Sequence, residues 1–358
     1  MSALASAELR CALEGTLLGT AAGDALGLAC EGLSPARQLK FFPQLDRHGL
    51  LFGRGMISDD TEHAVMLAQS LIASGGDADA FARDFAWRLR GWFAALPAGI
   101  GMATLKACLR LWLGFSPAAS GVRSAGNGPA MRAAVLGVAF GDDLARLKEL
   151  NRVAARITHR DARAEEGALA IALAARLAAT KKRDVGAAEL VGELAPHLVP
   201  DDAIWRLVTA TAASVIEEES AADFIARTGS RPGVTGFMLH TVPAVLHVWL
   251  RHQADYRGGV VEIIRLGGDT DTTAAILGGL IGARVGRAGI PPQWIDGIID
   301  WPRSPAMLAA VAERLADSRS QGRALAPVRS LALVHPLRNL VFLLIVLAHG
   351  FRRLLPPY

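Results

Sequence analysis

Gly267-Gly268-Asp269-Thr270-Asp271-Thr272-Thr273, running straight into the small-residue stretch Ala274 to Ala283, decides how this chain must fold. It has a companion, Ile57-Ser58-Asp59-Asp60-Thr61, which lies 210 residues earlier, counted from Asp59 to Asp269. Each sets carboxylates and hydroxyls just ahead of an apolar helical pattern. Helix capping alone needs one such residue, not three or four in a row. Adjacent carboxylates repel, so crowding them is costly unless a cation neutralises them. Oxygen-only donors suit a hard cation such as Mg²⁺ or Mn²⁺. If both clusters serve one metal site, they must lie within a few ångströms of each other. A domain boundary between them would cut that site in two. The expectation is therefore one large helical domain over residues 1–320, with a short apolar extension over 321–358.

Composition agrees with helices. The chain has 358 residues, 51% of them hydrophobic, and only 6% aromatic with two tyrosines. Mean hydropathy is +0.30. Ala, Leu and Gly carry the apolar load, which favours helices packed over small residues and disfavours a β-sandwich. A charged fraction of 20% with so much apolar residue excludes a disordered chain. Three cysteines make no disulfide framework, and a reducing cytoplasm is the expected compartment. The formal charge of +4, from 38 basic and 34 acidic residues, gives no reason to expect specific nucleic-acid binding.

Periodicity places helices over 8–27, 59–73, 81–93, 101–113, 130–140, 144–157, 165–179, 187–194, 202–218, 242–249, 256–266 and 271–285, with no clean alternating strand. Toward the C-terminus, Leu340 to Ala348 is continuously apolar between Arg338 and Arg352-Arg353. A bilayer needs roughly 20 such residues, so the run is too short to span one. It reads as a buried terminal element or as a membrane-surface or partner contact.

Three further signatures stand outside the acidic clusters. Gly19 to Gly27 is a glycine-punctuated helix followed by Glu31. Ser124-Ala125-Gly126-Asn127-Gly128 is a turn that opens a helix, and its backbone N–H groups could hold a diphosphate. Thr158-His159 closes another helix. A competing reading takes Asp269-x-Asp271-x-Thr273 as the DxDxT signature of a phosphatase, which requires a β-strand just before it.

Taken in order, GTLLGTAAGDALG with Glu31, ISDDT, SAGNGPAMRAAVLG, TH at 158–159, GFMLHTV at 236–242 and LGGDTDTTAAILGGLIGA resemble the ADP-ribosylglycohydrolase family. The resemblance covers about residues 13 to 285. It implies an all-α helical bundle with two divalent cations, Mg²⁺ or Mn²⁺, in a cleft, and release of ADP-ribose from a modified acceptor. It implies metal ligands at Ser58, Asp59, Asp60, Asp269, Asp271 and Thr272. Catalytic carboxylates are expected among Glu31, Asp59 and Asp60, and contacts to ADP-ribose from Ser124, Gly126, Asn127, Gly128 and His159. A non-catalytic ADP-ribose or nucleotide binder is the alternative on the same fold. Two departures matter. Gly99, in Pro97-Ala98-Gly99-Ile100-Gly101, stands where arginine-specific members carry an acid, so arginine is not implied as the acceptor. Ala125 replaces a stacking aromatic, which leaves Phe115 and Phe237 as the candidates for that role.

Overall fold

The computed structural model describes residues 4–181, 183–230 and 233–355. Among these the architecture is all-α, with eighteen α-helices and only isolated β-bridges. The first nine are α1 (Ser6–Gly27), α2 (Pro35–Phe41), α3 (Asp59–Ser74), α4 (Ala78–Ala94), α5 (Met102–Trp112), α6 (Pro117–Ser120), α7 (Ala133–Ala139), α8 (Leu144–Arg156) and α9 (Ala162–Thr180). They are followed by α10 (Ala187–Leu194), α11 (Ala203–Ile216), α12 (Ala221–Arg227), α13 (Met238–Arg251), α14 (Tyr256–Arg265), α15 (Thr270–Val285), α16 (Pro292–Asp296), α17 (Pro305–Gln321) and α18 (His335–Arg352).

The centre of the molecule is the antiparallel pair α1 and α15, both buried along most of their length. Small residues every four positions make the pair possible. On α1 these are Gly15, Gly19, Gly23 and Gly27. They face, in order, Gly282, Gly278, Ala274 and Thr270 of α15. A Cβ added at any of the four glycines would strike the opposing backbone carbonyl. Such a seam lets two backbones approach far closer than leucines would allow, and it fixes the register. Tyr256 locks it from the side, its hydroxyl donating to the Gly19 carbonyl at 2.6 Å. Helices α3, α7, α9, α13, α14 and α17 wrap this pair, and one continuous hydrophobic cluster runs from Ala12 to Ala316.

The twelve periodic segments all fall on observed helices, within a few residues at each end. Two differ in form. Residues 130–132 are a 3₁₀ turn ahead of α7, and α13 begins four residues earlier than the pattern suggests. The phosphatase reading requires a strand before Asp269. Helix α14 stands there instead, joined to α15 by a left-handed turn at Gly267 and Gly268, so that reading is corrected.

Candidate active site

The register of the seam has a direct consequence. It brings the C-terminal end of α1 and the following Glu31 beside the N-terminal turn of α15. The carboxylates of Glu31, Asp269 and Asp271 place oxygens within 4.8 Å of one another. The second acidic turn is held in place by Asp24, buried on α1. Asp24 accepts hydrogen bonds from the backbone N–H of Ser58 (2.9 Å) and of Thr61 (3.2 Å), and from the Thr61 hydroxyl (2.5 Å). Burial nevertheless pushes the Asp24 carboxyl up to about 7 against these hydrogen bonds.

The two turns meet directly. The Thr272 hydroxyl donates to Asp60 Oδ2 at 3.1 Å, and so does the Ser58 hydroxyl, also at 3.1 Å. Ser58 is also the N-cap of α3, its oxygen accepting from the Asp60 N–H. The other oxygens, Asp60 Oδ1 and Asp271 Oδ1, are buried with no hydrogen-bond partner among the described residues. Burial, then neighbouring carboxylates, drives Asp59, Asp60 and Asp271 well above the usual carboxylate range. Glu31 is raised in the same way, by the enclosing cleft walls and then by Asp269, while Arg353 opposes the shift. Such crowding without a basic partner is what a cation site looks like to its own carboxylates.

A cleft of about 620 Å³ opens over this floor. Glu31, Ser58, Asp59, Asp269, Asp271 and Thr272 line one side, and Ser124, Gly126, Asn127, Gly128 and His159 line another. The 124–128 loop is pinned by the Asn127 N–H to the Gly236 carbonyl and by the Met238 N–H to the Ala125 carbonyl. The Asn127 amide is itself committed, donating to Asp269 Oδ2 (2.6 Å) and the Thr241 hydroxyl (3.0 Å). It ties the loop to the acidic floor. His159 packs beneath Gly126 and Gly128, where an added Cβ would meet its ring. The Thr158 hydroxyl holds His159 Nδ1 at 2.9 Å and accepts from buried Arg132 at 2.7 Å. Burial and that guanidinium depress the imidazole to about 3, so it is neutral at physiological pH.

Ala98, Gly99 and Gly101, in the stretch that the resemblance already marked as facing the acceptor, reach the cleft from the α4–α5 loop, with Met102 at the start of α5. Phe342 and Val346, which reach it from α18, were not foreseen from sequence. Phe115 lies 46% exposed beside Arg110, and Phe237 packs against Arg163 and His240. Phe342 is the aromatic ring that lines the cleft. Helix α18 is anchored there by a buried charge network. Arg338 donates to the Ile57 carbonyl (2.6 Å), pairs with Asp300, and lies 3.2 Å from Glu62. Glu62 also pairs with Arg303 at 2.5 Å and accepts from the Trp92 indole. These cations hold the Glu62 carboxyl below its usual range despite its burial. Asn339 donates to the Ala95 carbonyl, and Arg353 to the Glu31 carbonyl (both 2.7 Å). The signal in the sequence was Arg338 itself, which flanks the apolar run over residues 340–348 and has no reason to be buried unless it is paired.

Comparison with known proteins follows this geometry. The ADP-ribosylglycohydrolase family model matches residues 5–324, so the chain belongs to that family. It is 31% identical over 294 residues to an uncharacterized protein of Archaeoglobus fulgidus, covering 79% of this chain and 90% of that one. The ADP-ribosyl-[dinitrogen reductase] glycohydrolase of Rhodospirillum rubrum is 26% identical, over 79% of this chain and 88% of its own. ADP-ribosylhydrolase ARH3 of Gallus gallus is 27% identical, over 78% and 87%. A solved structure titled ADP-ribosylglycohydrolase-related protein complex superposes with a TM-score of 0.67 at 29% identity. It covers 87% of this chain and 99% of that one. The family match ends before α18 begins.

Proposed function

We propose that this protein is a divalent-metal-dependent hydrolase that cleaves the glycosidic bond between ADP-ribose and a modified acceptor, releasing ADP-ribose. The observation that carries the reading is the meeting of the two acidic turns, with Asp60 Oδ1 and Asp271 Oδ1 buried and without a hydrogen-bond partner among the described residues. Ser58, Asp59, Asp60, Asp269, Asp271 and Thr272 would hold two cations, Mg²⁺ or Mn²⁺. Bound there, such ions supply positive charge that grips ribose hydroxyls and acidifies a water.

The chain's own groups do the rest. The 124–128 loop offers backbone N–H groups to the diphosphate, and neutral His159 lies under it as a hydrogen-bonding rather than a charged group. Asn127 orients Asp269. Glu31, raised and facing the cleft, is the group we assign to proton transfer. It takes a proton from the attacking water or returns one to the leaving acceptor atom. Beside Glu31 the cleft wall is Leu28, Ala98, Gly99, Met102, Phe342 and Val346. Apart from Glu31 itself, that stretch of wall holds no carboxylate among the described residues to receive a guanidinium. The acceptor that fits is uncharged at its linkage, such as a serine oxygen.

The test is a set of peptides ADP-ribosylated on serine or on arginine, incubated with the protein and Mg²⁺ or Mn²⁺ and scored for free ADP-ribose. The reading expects release from the serine linkage at least about tenfold faster, a difference near 1.4 kcal/mol in barrier. Faster release from arginine would overturn the acceptor assignment. Binding of ADP-ribose with no release from either would favour a non-catalytic binder.

A further inference from the structure

Helix α18 has an outer face that no other described residue covers. Leu337, Leu340, Leu344, Leu347 and Phe351 recur every three or four positions and are 48–66% exposed. That spacing keeps them on one side of the helix, opposite Arg338 and Phe342. No charged residue interrupts the row. Scattered exposed leucines are ordinary on a protein surface, but a contiguous row of large apolar side chains marks a contact.

Two neighbours share this face. The turn Leu51–Arg54 carries Phe52 at its tip, 100% exposed and with φ of 47°, a conformation costly for a bulky residue. Leu51 lines one shallow groove with Val341, Leu344 and Ala348 of α18 and with Phe41 of α2. At the C-terminal end of α18, the guanidinium groups of Arg37 and Arg352 lie over the Phe41 ring, at 5.7 and 5.9 Å. The charge balance here is one-sided. Residues 35–54 hold Arg37, Lys40, Arg47 and Arg54 against Asp46, and α18 with the residue after it holds Arg338, Arg352 and Arg353 and no acid. Of these, Arg338 is neutralised inside the protein. The rest of the chain is left with 31 basic and 33 acidic residues, obtained by removing seven and one from 38 and 34.

We propose that this face docks on an anionic lipid surface, with α18 lying in the interfacial plane and Phe52 inserted beside it. An apolar row with basic residues at its edge fits acidic headgroups over acyl chains. A second copy docked through the same face would bring only Asp46 to meet these basic residues. No helix among the described residues is long and apolar enough to cross a membrane, so the contact is a surface one.

Co-sedimentation of the full-length protein with vesicles tests this without reference to hydrolysis. Binding is expected to phosphatidylcholine vesicles that contain phosphatidylglycerol, and to weaken as salt rises. The double variant Leu340→Glu, Leu347→Glu, and separately Phe52→Ser, should each lower that binding by at least about tenfold, because a charge or a lost ring removes interfacial burial. Both changes lie away from the cleft, so the thermal midpoint should hold and report intact folding. Equal binding to vesicles of phosphatidylcholine alone overturns the proposal. So does absence of vesicle binding, whether the protein sediments as a monomer or as a dimer that the double variant splits.

Discussion

At the scale of single residues, the account rests on carboxylates that are costly to bring together. Asp59, Asp60 and Asp271 are all raised by burial and then by neighbouring carboxylates, and two of their oxygens have no partner among the described residues. Asp60→Asn removes one charge from that cluster at little steric cost. In chelator, the variant should melt at a higher temperature than the wild type. With Mn²⁺ added, the wild type should gain stability as the ion binds the folded state, and Asp60→Asn should gain much less. Differential scanning fluorimetry reads both comparisons. An equal metal-induced rise in the two proteins would remove Asp60 from the ligand set. The acidic residues were legible in the sequence because they exceed what capping requires. Asp24 was not singled out, although it sits in the quoted GDALG stretch. One buried carboxylate on a helix gives no local sign that it holds a turn 34 residues away.

At the scale of elements, the α1–α15 seam and the α18 anchor do the positioning. Gly19→Val would drive two methyls into the Gly278 carbonyl and force the helices apart. Overpacking of this kind costs about 3 kcal/mol or more, read as a lowered urea midpoint. The same change should lower metal affinity, since it separates Glu31 from Asp269. Gly91, where an added Cβ meets nothing, is the control: Gly91→Ala should hold or raise stability. Arg338→Met leaves Asp300 unpaired and Glu62 with one cation fewer. Breaking a buried pair this way costs about 3–5 kcal/mol, and the Ile57–Asp60 turn should loosen with it. Helix positions were readable from periodicity alone. The seam was half-readable, as glycines four apart on one helix, but its partner face and register are tertiary facts. The place of α18 was least readable. Its apolar run fits a buried helix as well as a surface one, and only the contacts of Arg338, Phe342 and Arg353 decide which face turns inward.

At the scale of the whole molecule, one continuous core holds a cleft whose lining is drawn from positions 28 to 346. Among the described residues that core runs as far as Ala316, near the end of α17 at Gln321. It also makes stability sensitive to acid far from the cleft. His247 is buried between Ser214 (3.1 Å) and the Phe224 ring (5.0 Å), and burial depresses it to about 4. The unfolded chain binds that proton below about pH 6.5, while the folded chain does not until about 4. Stability from this group is therefore complete above pH 6.5 and is lost as pH falls toward 4. His247→Gln should flatten the fall in melting temperature across that window, and an unchanged slope would show that His247 does not contribute. The family match extends over this body and stops short of α18, which supplies the cleft wall beside Glu31.

The most direct test of the central claim is ADP-ribose release from an ADP-ribosylated serine peptide, measured on chelator-treated protein as Mn²⁺ is restored. The account predicts no release without metal, recovery on titration, and loss of at least about a thousandfold, or roughly 4 kcal/mol, in Asp269→Ala at saturating Mn²⁺. Full activity in chelator, or full activity of Asp269→Ala, would contradict it.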